Sequence, residues 1–179
     1  MRITGGSLKG RQVKVPNGVI RPAMDKMRES VFAILGDLSG LSFLDLFSGS
    51  GIIALEAASR GAEYVEAVET DPIKRKILLE NVQISSVRIN CRFMPVELYV
   101  KRAKRPFDLI FCDPPFSYQY KWDLISNICS STLVKEDTLV LLHRPREDRP
   151  EKAFPGIIQV DYREYGRSIV IFYKFSKKR

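Results

Sequence analysis

From residue 41 onward, apolar positions alternate between the two periods that separate strands from helices. LSFLDLF (41–47) is an apolar run of strand length. Ser50 to Arg60 then places Ile52, Ile53, Leu55, Ala57 and Ala58 on a helical face that Gly61 closes. YVEAVE (64–69) alternates like a strand, and Asp71-Pro72 supplies a cap and a first-turn proline for a helix running to about Ile84. Further strands are predicted at 87–93, 107–112 and 137–143, and helices at 95–103 and 119–131. IIQVDYREY and SIVIFYKF, within 157–175, are two strand runs joined at Gly166-Arg167, which is a hairpin signal. Repeated β-α-β order of this kind argues an α/β fold: a mostly parallel seven-stranded sheet with helices on both faces, ending in an antiparallel hairpin.

Before residue 40 the pattern changes. Residues 1–20 carry glycines at 5, 6, 10 and 18 among alternating apolar residues, which predicts a small β arm. Arg21-Pro22 is a break, and 24–38 reads as an amphipathic helix through Met24, Met27, Val31, Phe32 and Leu35. The chain is therefore expected to form one domain over 1–179: a basic β arm (1–20), a helical segment (21–40) and an α/β core (41–179).

The 179 residues, 45% of them apolar, are enough for one buried core, and no apolar run reaches membrane-spanning length. Met1-Arg2-Ile3 opens no secretory signal. Cys91, Cys112 and Cys129 are scattered without a CxxC pair, so reduced thiols and a cytoplasmic protein are expected. The net charge of +8 is uneven. Residues 1–29 hold Arg2, Lys9, Arg11, Lys14, Arg21, Lys26 and Arg28 against Asp25 and Glu29, and Lys101-Arg102-Ala103-Lys104-Arg105 and Lys177-Lys178-Arg179 are further clusters. Such clusters attract phosphate backbones.

The candidate chemistry lies in FDLIFCDPPFSY (107–118). Asp113 can accept one N–H of an exocyclic base amine and the Pro114 carbonyl the other. The prolines stiffen the loop that presents these acceptors, and Phe116 offers a flat face for stacking a base. Asp113 is not read as a strong base, since an ordinary carboxylate does not deprotonate a neutral amine. Upstream, Asp45-x-Phe47-x-Gly49-x-Gly51 stands where a strand turns into a helix, and glycines there let a ligand approach the backbone closely. Gly49 to Ala54 also satisfies GxGxxA, the pattern of a nicotinamide cofactor site. Two features favour S-adenosylmethionine instead: Asp45 suits the amino acid or sulfonium part of that molecule, and no second half of a dinucleotide fold follows. Glu69, ending the second strand, is placed for ribose hydroxyls. The third strand ends in Cys91-Arg92-Phe93-Met94-Pro95 without an acid or amide, which leaves backbone groups of Phe93 or Met94 for the adenine. His143, the only histidine, reads as a packed or strand-end residue, and no metal-ligand spacing is visible. Together the two blocks point to methyl transfer from S-adenosylmethionine to a base nitrogen.

Over nearly its whole length the chain resembles the RsmD-type family of small-subunit ribosomal RNA guanine-N2 methyltransferases. The resemblance rests on RITGGSLKGRQVKVP (2–16), RPAMDKMRESVFAIL (21–35), DLFSGSGIIALEAASRGA (45–62) and DPPF (113–116). The first two blocks carry the family, because the last two are shared by many methyltransferases. The resemblance implies a Rossmann-like methyltransferase fold, S-adenosylmethionine as cofactor and S-adenosylhomocysteine as product. It implies Asp45, Gly49, Gly51 and Glu69 as cofactor contacts, with Asp113, Pro114 and Phe116 as the base pocket. Arg21, Asp25 and Arg28 would close over cofactor or target, and Arg2, Lys9 and Arg11 would grip RNA. Ala23 stands where the family has threonine. The expected partner is ribosomal RNA or an assembling small subunit, met by a monomer. Two alternatives are an adenine-N6 methyltransferase and a non-catalytic RNA-binding assembly factor.

Overall fold

The computed structural model describes residues 1–15, 22–148, 154 and 156–177. Its helices are α1 (Pro22–Leu35), α2 (Ile52–Ser59), α3 (Pro72–Val82), α4 (Val96–Arg102) and α5 (Lys121–Cys129). Its strands are β1 (Ser42–Leu46), β2 (Tyr64–Glu69), β3 (Ile89–Phe93), β4 (Leu109–Cys112), β5 (Leu139–Pro145), β6 (Ile157–Tyr165) and β7 (Ser168–Phe175). They form one sheet of order β3-β2-β1-β4-β5-β7-β6. The first five strands run parallel, and β7 pairs antiparallel with both β5 and β6. This is the α/β sheet the periodicity predicts.

Every residue of β1 and β4 is buried, as expected of parallel strands covered on both faces. Alternate side chains feed two cores. Phe43 and Phe111 point to the α1–α2–α3 side with Phe32, Leu55 and Leu78. Leu44, Leu46 and Ile110 point to the α4–α5 side with Val100 and Ile125. No helix among the described residues is long and apolar enough to cross a membrane.

Helix α1 stops at Leu35 and not at residue 38. Gly36 turns left-handed (φ 70°) and its N–H donates to the Phe32 carbonyl at 3.0 Å. Asp37 then accepts from both the amide and the hydroxyl of Ser39, a local alternative to another helical turn. The arm is a minimal antiparallel pair, bridged at Arg2 and Gln12, that sinks Ile3 and Val13 into the core. Its tip docks on the last turn of α2, where Ser7 N donates to Ser59 O (2.7 Å) and Leu8 N to Ser59 Oγ (2.8 Å).

Strand order reverses at β1. The chain moves outward through β2 and β3, then returns to place β4 on the other side. Connections from the carboxyl ends of β1 and β4 therefore diverge and leave a crevice, the general ligand position in open α/β sheets.

Candidate active site

The turn after β1 is held open by its backbone. Phe47, Gly49 and Gly51 all have positive φ (64°, 57° and 81°). For an aromatic residue that conformation is uncommon, and it persists because the surroundings fix it. Ser48 N donates to Val68 O at 2.9 Å, and Gly51 N closes the turn on Ser48 O at 2.8 Å. A Cβ on Gly51 would lie 2.6 Å from Leu78 Cδ1, whereas one on Gly49 would meet no atom within 4 Å. Gly51 is thus required by packing, and Gly49 leaves the surface of the turn open.

Asp45, expected to face the amino acid or sulfonium part of the cofactor, is not among the residues that line the crevice. It is buried, accepting from Ser48 Oγ (2.6 Å) and Ala54 N (3.2 Å), and so ties the turn to the start of α2. Burial pushes its carboxyl up to about 7, with the charges of Asp113 and Glu69 adding to the effect. Glu69 does line the crevice. Its Oε2 accepts from Gly49 N (2.7 Å) and its Oε1 from Asp71 N (2.8 Å), which locks the end of β2 to the glycine turn.

These elements line a cavity of about 930 Å³. Phe47 and Glu69 form one wall, Pro95 and Glu97 another, and Asp113 to Phe116 with His143 a third. Phe93 and Met94 are not in the wall. The Phe93 ring carries the Arg75 guanidinium at 4.7 Å, and the Met94 carbonyl accepts from Thr70 Oγ1 at 3.1 Å; the segment after β3 lines the cavity through Pro95 and Glu97. Tyr118 also lines the cavity, its ring 5.3 Å from Phe47 and its hydroxyl donating to Glu97.

Asp113 stands at the carboxyl end of β4, with its N–H on Leu46 O of β1 at 3.3 Å. Because Cys112 pairs with Leu142, the next residue of each strand is a neighbour of the other, and His143 meets Asp113. Their Nδ1 and Oδ1 atoms are 2.8 Å apart, and His143 Nε2 lies 2.8 Å from Ser168 Oγ on β7. His143 is 3% exposed, and Phe116 meets it edge-on at 5.5 Å between ring centroids. Pro114 is buried in the same wall. The histidine was read from sequence as a packed strand-end residue. It is that, and it also touches two members of the base pocket. Its position after an apolar strand, like Asp113's, was the available signal.

The basic residues divide. Arg28 is buried and fully engaged: Nε on Glu56 and Nη1 on Asp25, both at 3.0 Å, and Nη2 on the Arg2 carbonyl at 2.9 Å. It pins the arm to α1 and α2 and is not available to RNA. Arg21 lies outside the described residues. Arg2, Lys9 and Arg11 are exposed, and none pairs with an acid among the described residues. Lys9 and Arg11 flank the arm's tip, which docks on the last turn of α2, and Arg2 lies where its carbonyl accepts from Arg28.

The chain matches the sequence model of a family described as "Conserved hypothetical protein 95" over residues 1–174. It is 32% identical over 182 residues to YlbH of Bacillus subtilis, provisionally named an rRNA methyltransferase, covering 97% of this chain and 98% of that one. It is 29% identical over 161 residues to the Haemophilus influenzae protein named Ribosomal RNA small subunit methyltransferase D, covering 84% and 81%. Among solved structures, Escherichia coli yhhF shares the fold with a TM-score of 0.90 at 24% identity, over 99% of each chain.

Proposed function

Since the chain belongs to this RsmD-type methyltransferase family, we propose that it methylates the exocyclic N2 of a guanine in small-subunit ribosomal RNA. It is an S-adenosylmethionine-dependent methyltransferase, and the fold and cofactor expected from the sequence hold. Guanine is proposed from the family, and the observation that supports attack by an exocyclic base amine is the third wall of the cavity. There an acceptor (Asp113), a rigid proline pair and a stacking ring (Phe116) line the same cavity as Phe47 and Glu69.

The site fits the cofactor. Gly49 presents bare backbone with open space where a side chain would stand, beside Glu69, whose carboxylate suits ribose hydroxyls. The cavity is within the size range of nucleotide-scale sites, roughly 300–1,000 Å³. When bound, S-adenosylmethionine supplies an electrophilic methyl group and leaves as S-adenosylhomocysteine.

The chain's own residues activate the nucleophile. An exocyclic amine donates its lone pair into the ring, so it attacks poorly while planar. With Oδ1 held by His143, Oδ2 of Asp113 is the oxygen left to accept one N–H, and the Pro114 carbonyl takes the other. Two acceptors favour the pyramidal nitrogen, and they strengthen as positive charge develops there, which is what accelerates the step. The proton released after methylation leaves easily and requires no strong base. Phe116 stacks a base withdrawn from its helix or already unpaired. Arg2, Lys9 and Arg11 extend the contact along the RNA backbone.

Three free cysteines suit a reducing compartment, in keeping with a cytoplasmic enzyme that we take to act as a monomer. The test of the site is Asp113→Ala, expected to lower kcat about 100-fold or more while S-adenosylhomocysteine still binds. Unchanged turnover would remove Asp113 from the chemistry.

A further inference from the structure

We infer that His143 is a positioning residue of the methyl transfer, one side chain that sets both the acceptor carboxylate of Asp113 and the stacking ring of Phe116. The inference rests on the functional reading above and adds a residue to it.

The geometry permits little else. His143 stands at the cavity end of β5, 3% exposed, with both ring nitrogens occupied at 2.8 Å. Nδ1 faces a carboxylate, so it carries a proton and donates to Asp113 Oδ1. Nε2 is hydrogen-bonded to the Ser168 hydroxyl, which also donates to the Tyr165 carbonyl at 3.2 Å. The imidazole is therefore fixed at two points on two different strands. A carboxylate alone can rotate about its Cβ–Cγ bond. Anchored through Oδ1 it cannot, and its other oxygen keeps a constant direction. The Phe116 ring, itself 41% exposed, lies edge-on to the same imidazole, so the stacking plane and the acceptor share one reference.

A buried histidine kept only for packing predicts different behaviour from one that aims Asp113. Leucine fills much of its volume without a donor. Asparagine places its Nδ2–H near the position of Nδ1–H and restores the bond to Asp113. The experiment uses the full-length protein with methyl-labelled S-adenosylmethionine and small ribosomal subunits lacking their native methylations, and measures kcat, KM for the subunit, and S-adenosylhomocysteine affinity. His143→Leu is expected to lose about 100-fold in kcat, and His143→Asn to return to within about tenfold of the wild type. Both should bind S-adenosylhomocysteine as the wild type does. Wild-type kcat in His143→Leu, or equal kcat in the leucine and asparagine variants, would overturn the inference.

Should His143→Leu not fold, Ser168→Ala carries the test. It frees one end of the imidazole without touching Asp113, and is expected to lower kcat about fivefold with cofactor affinity intact. Wild-type kcat there would likewise overturn the inference. A wild-type protein that transfers no label overturns the functional reading and this inference with it. An active wild type with an indifferent His143 overturns the inference alone.

Discussion

Gly49 and Gly51 stand two residues apart in one left-handed turn, yet alanine at each should fail for a different reason. Holding alanine at positive φ costs about 1–2 kcal/mol at either site. At Gly51 the new Cβ would also sit 2.6 Å from Leu78 Cδ1. Leu78 is fully buried, so its side chain has no room to retreat, and overpacking adds about 1–3 kcal/mol. The expected losses are therefore about 2–5 kcal/mol for Gly51→Ala and about 1–2 kcal/mol for Gly49→Ala. Urea denaturation measures both, provided the slope with denaturant is unchanged. Calorimetric titration with S-adenosylhomocysteine should rank the variants in the opposite order. Gly49→Ala places a methyl on bare backbone beside Glu69 and should weaken binding about tenfold or more, out of proportion to its stability loss. Stability losses equal within about 0.5 kcal/mol would refute the steric argument at Gly51. Wild-type affinity in Gly49→Ala would remove that turn from the cofactor cradle.

Other perturbations probe the rest of the molecule. Asp45 is held near 7 by burial, above its ordinary 3.8, so the folded state retains a proton that the unfolded chain releases. Stability should therefore decline as pH rises from about 4 to about 7 and level off above, by on the order of 4 kcal/mol, and Asp45→Asn should flatten that slope. An unchanged profile in Asp45→Asn would show that the carboxyl is not the group responsible. Arg28→Ala leaves the fully buried Glu56 with the Thr4 N–H, at 2.7 Å, and a single cation among the described residues, Arg60 at 3.5 Å, and should cost about 3–5 kcal/mol in chemical denaturation. A loss below about 1 kcal/mol would make the pair dispensable. Neutralising Arg2, Lys9 and Arg11 together should weaken RNA binding and reduce the log–log salt slope by about 2. An identical slope would show that the arm does not hold RNA.

Much of the architecture was legible because period and punctuation agree. Asp71-Pro72 caps a helix, with Asp71 accepting from Ile73 N at 2.9 Å, and Gly166-Arg167 turns the final hairpin. The boundary at Gly36 was missed because Leu38 continues the apolar spacing. It is buried by a turn, with its N–H on Arg60 O, and not by a helix. The site was legible in residue type more than in direction. A motif places Asp45 at the end of β1 but does not say that its carboxylate folds back onto α2. Arg28 reads as one of a cluster of cations, and only tertiary contact reveals Glu56, 28 residues away. The partnership of Asp113 and His143 follows from the β4–β5 register, which sequence does not contain.

The most direct measurement is the identity of the methylated nucleoside. Small ribosomal subunits lacking their native methylations are incubated with the protein and methyl-labelled S-adenosylmethionine, and their RNA is digested and separated. The account predicts label in N2-methylguanosine, abolished by Asp113→Ala. Label in N6-methyladenosine would contradict the assignment of the base, and an absence of label in any nucleoside would contradict methyl transfer to this RNA.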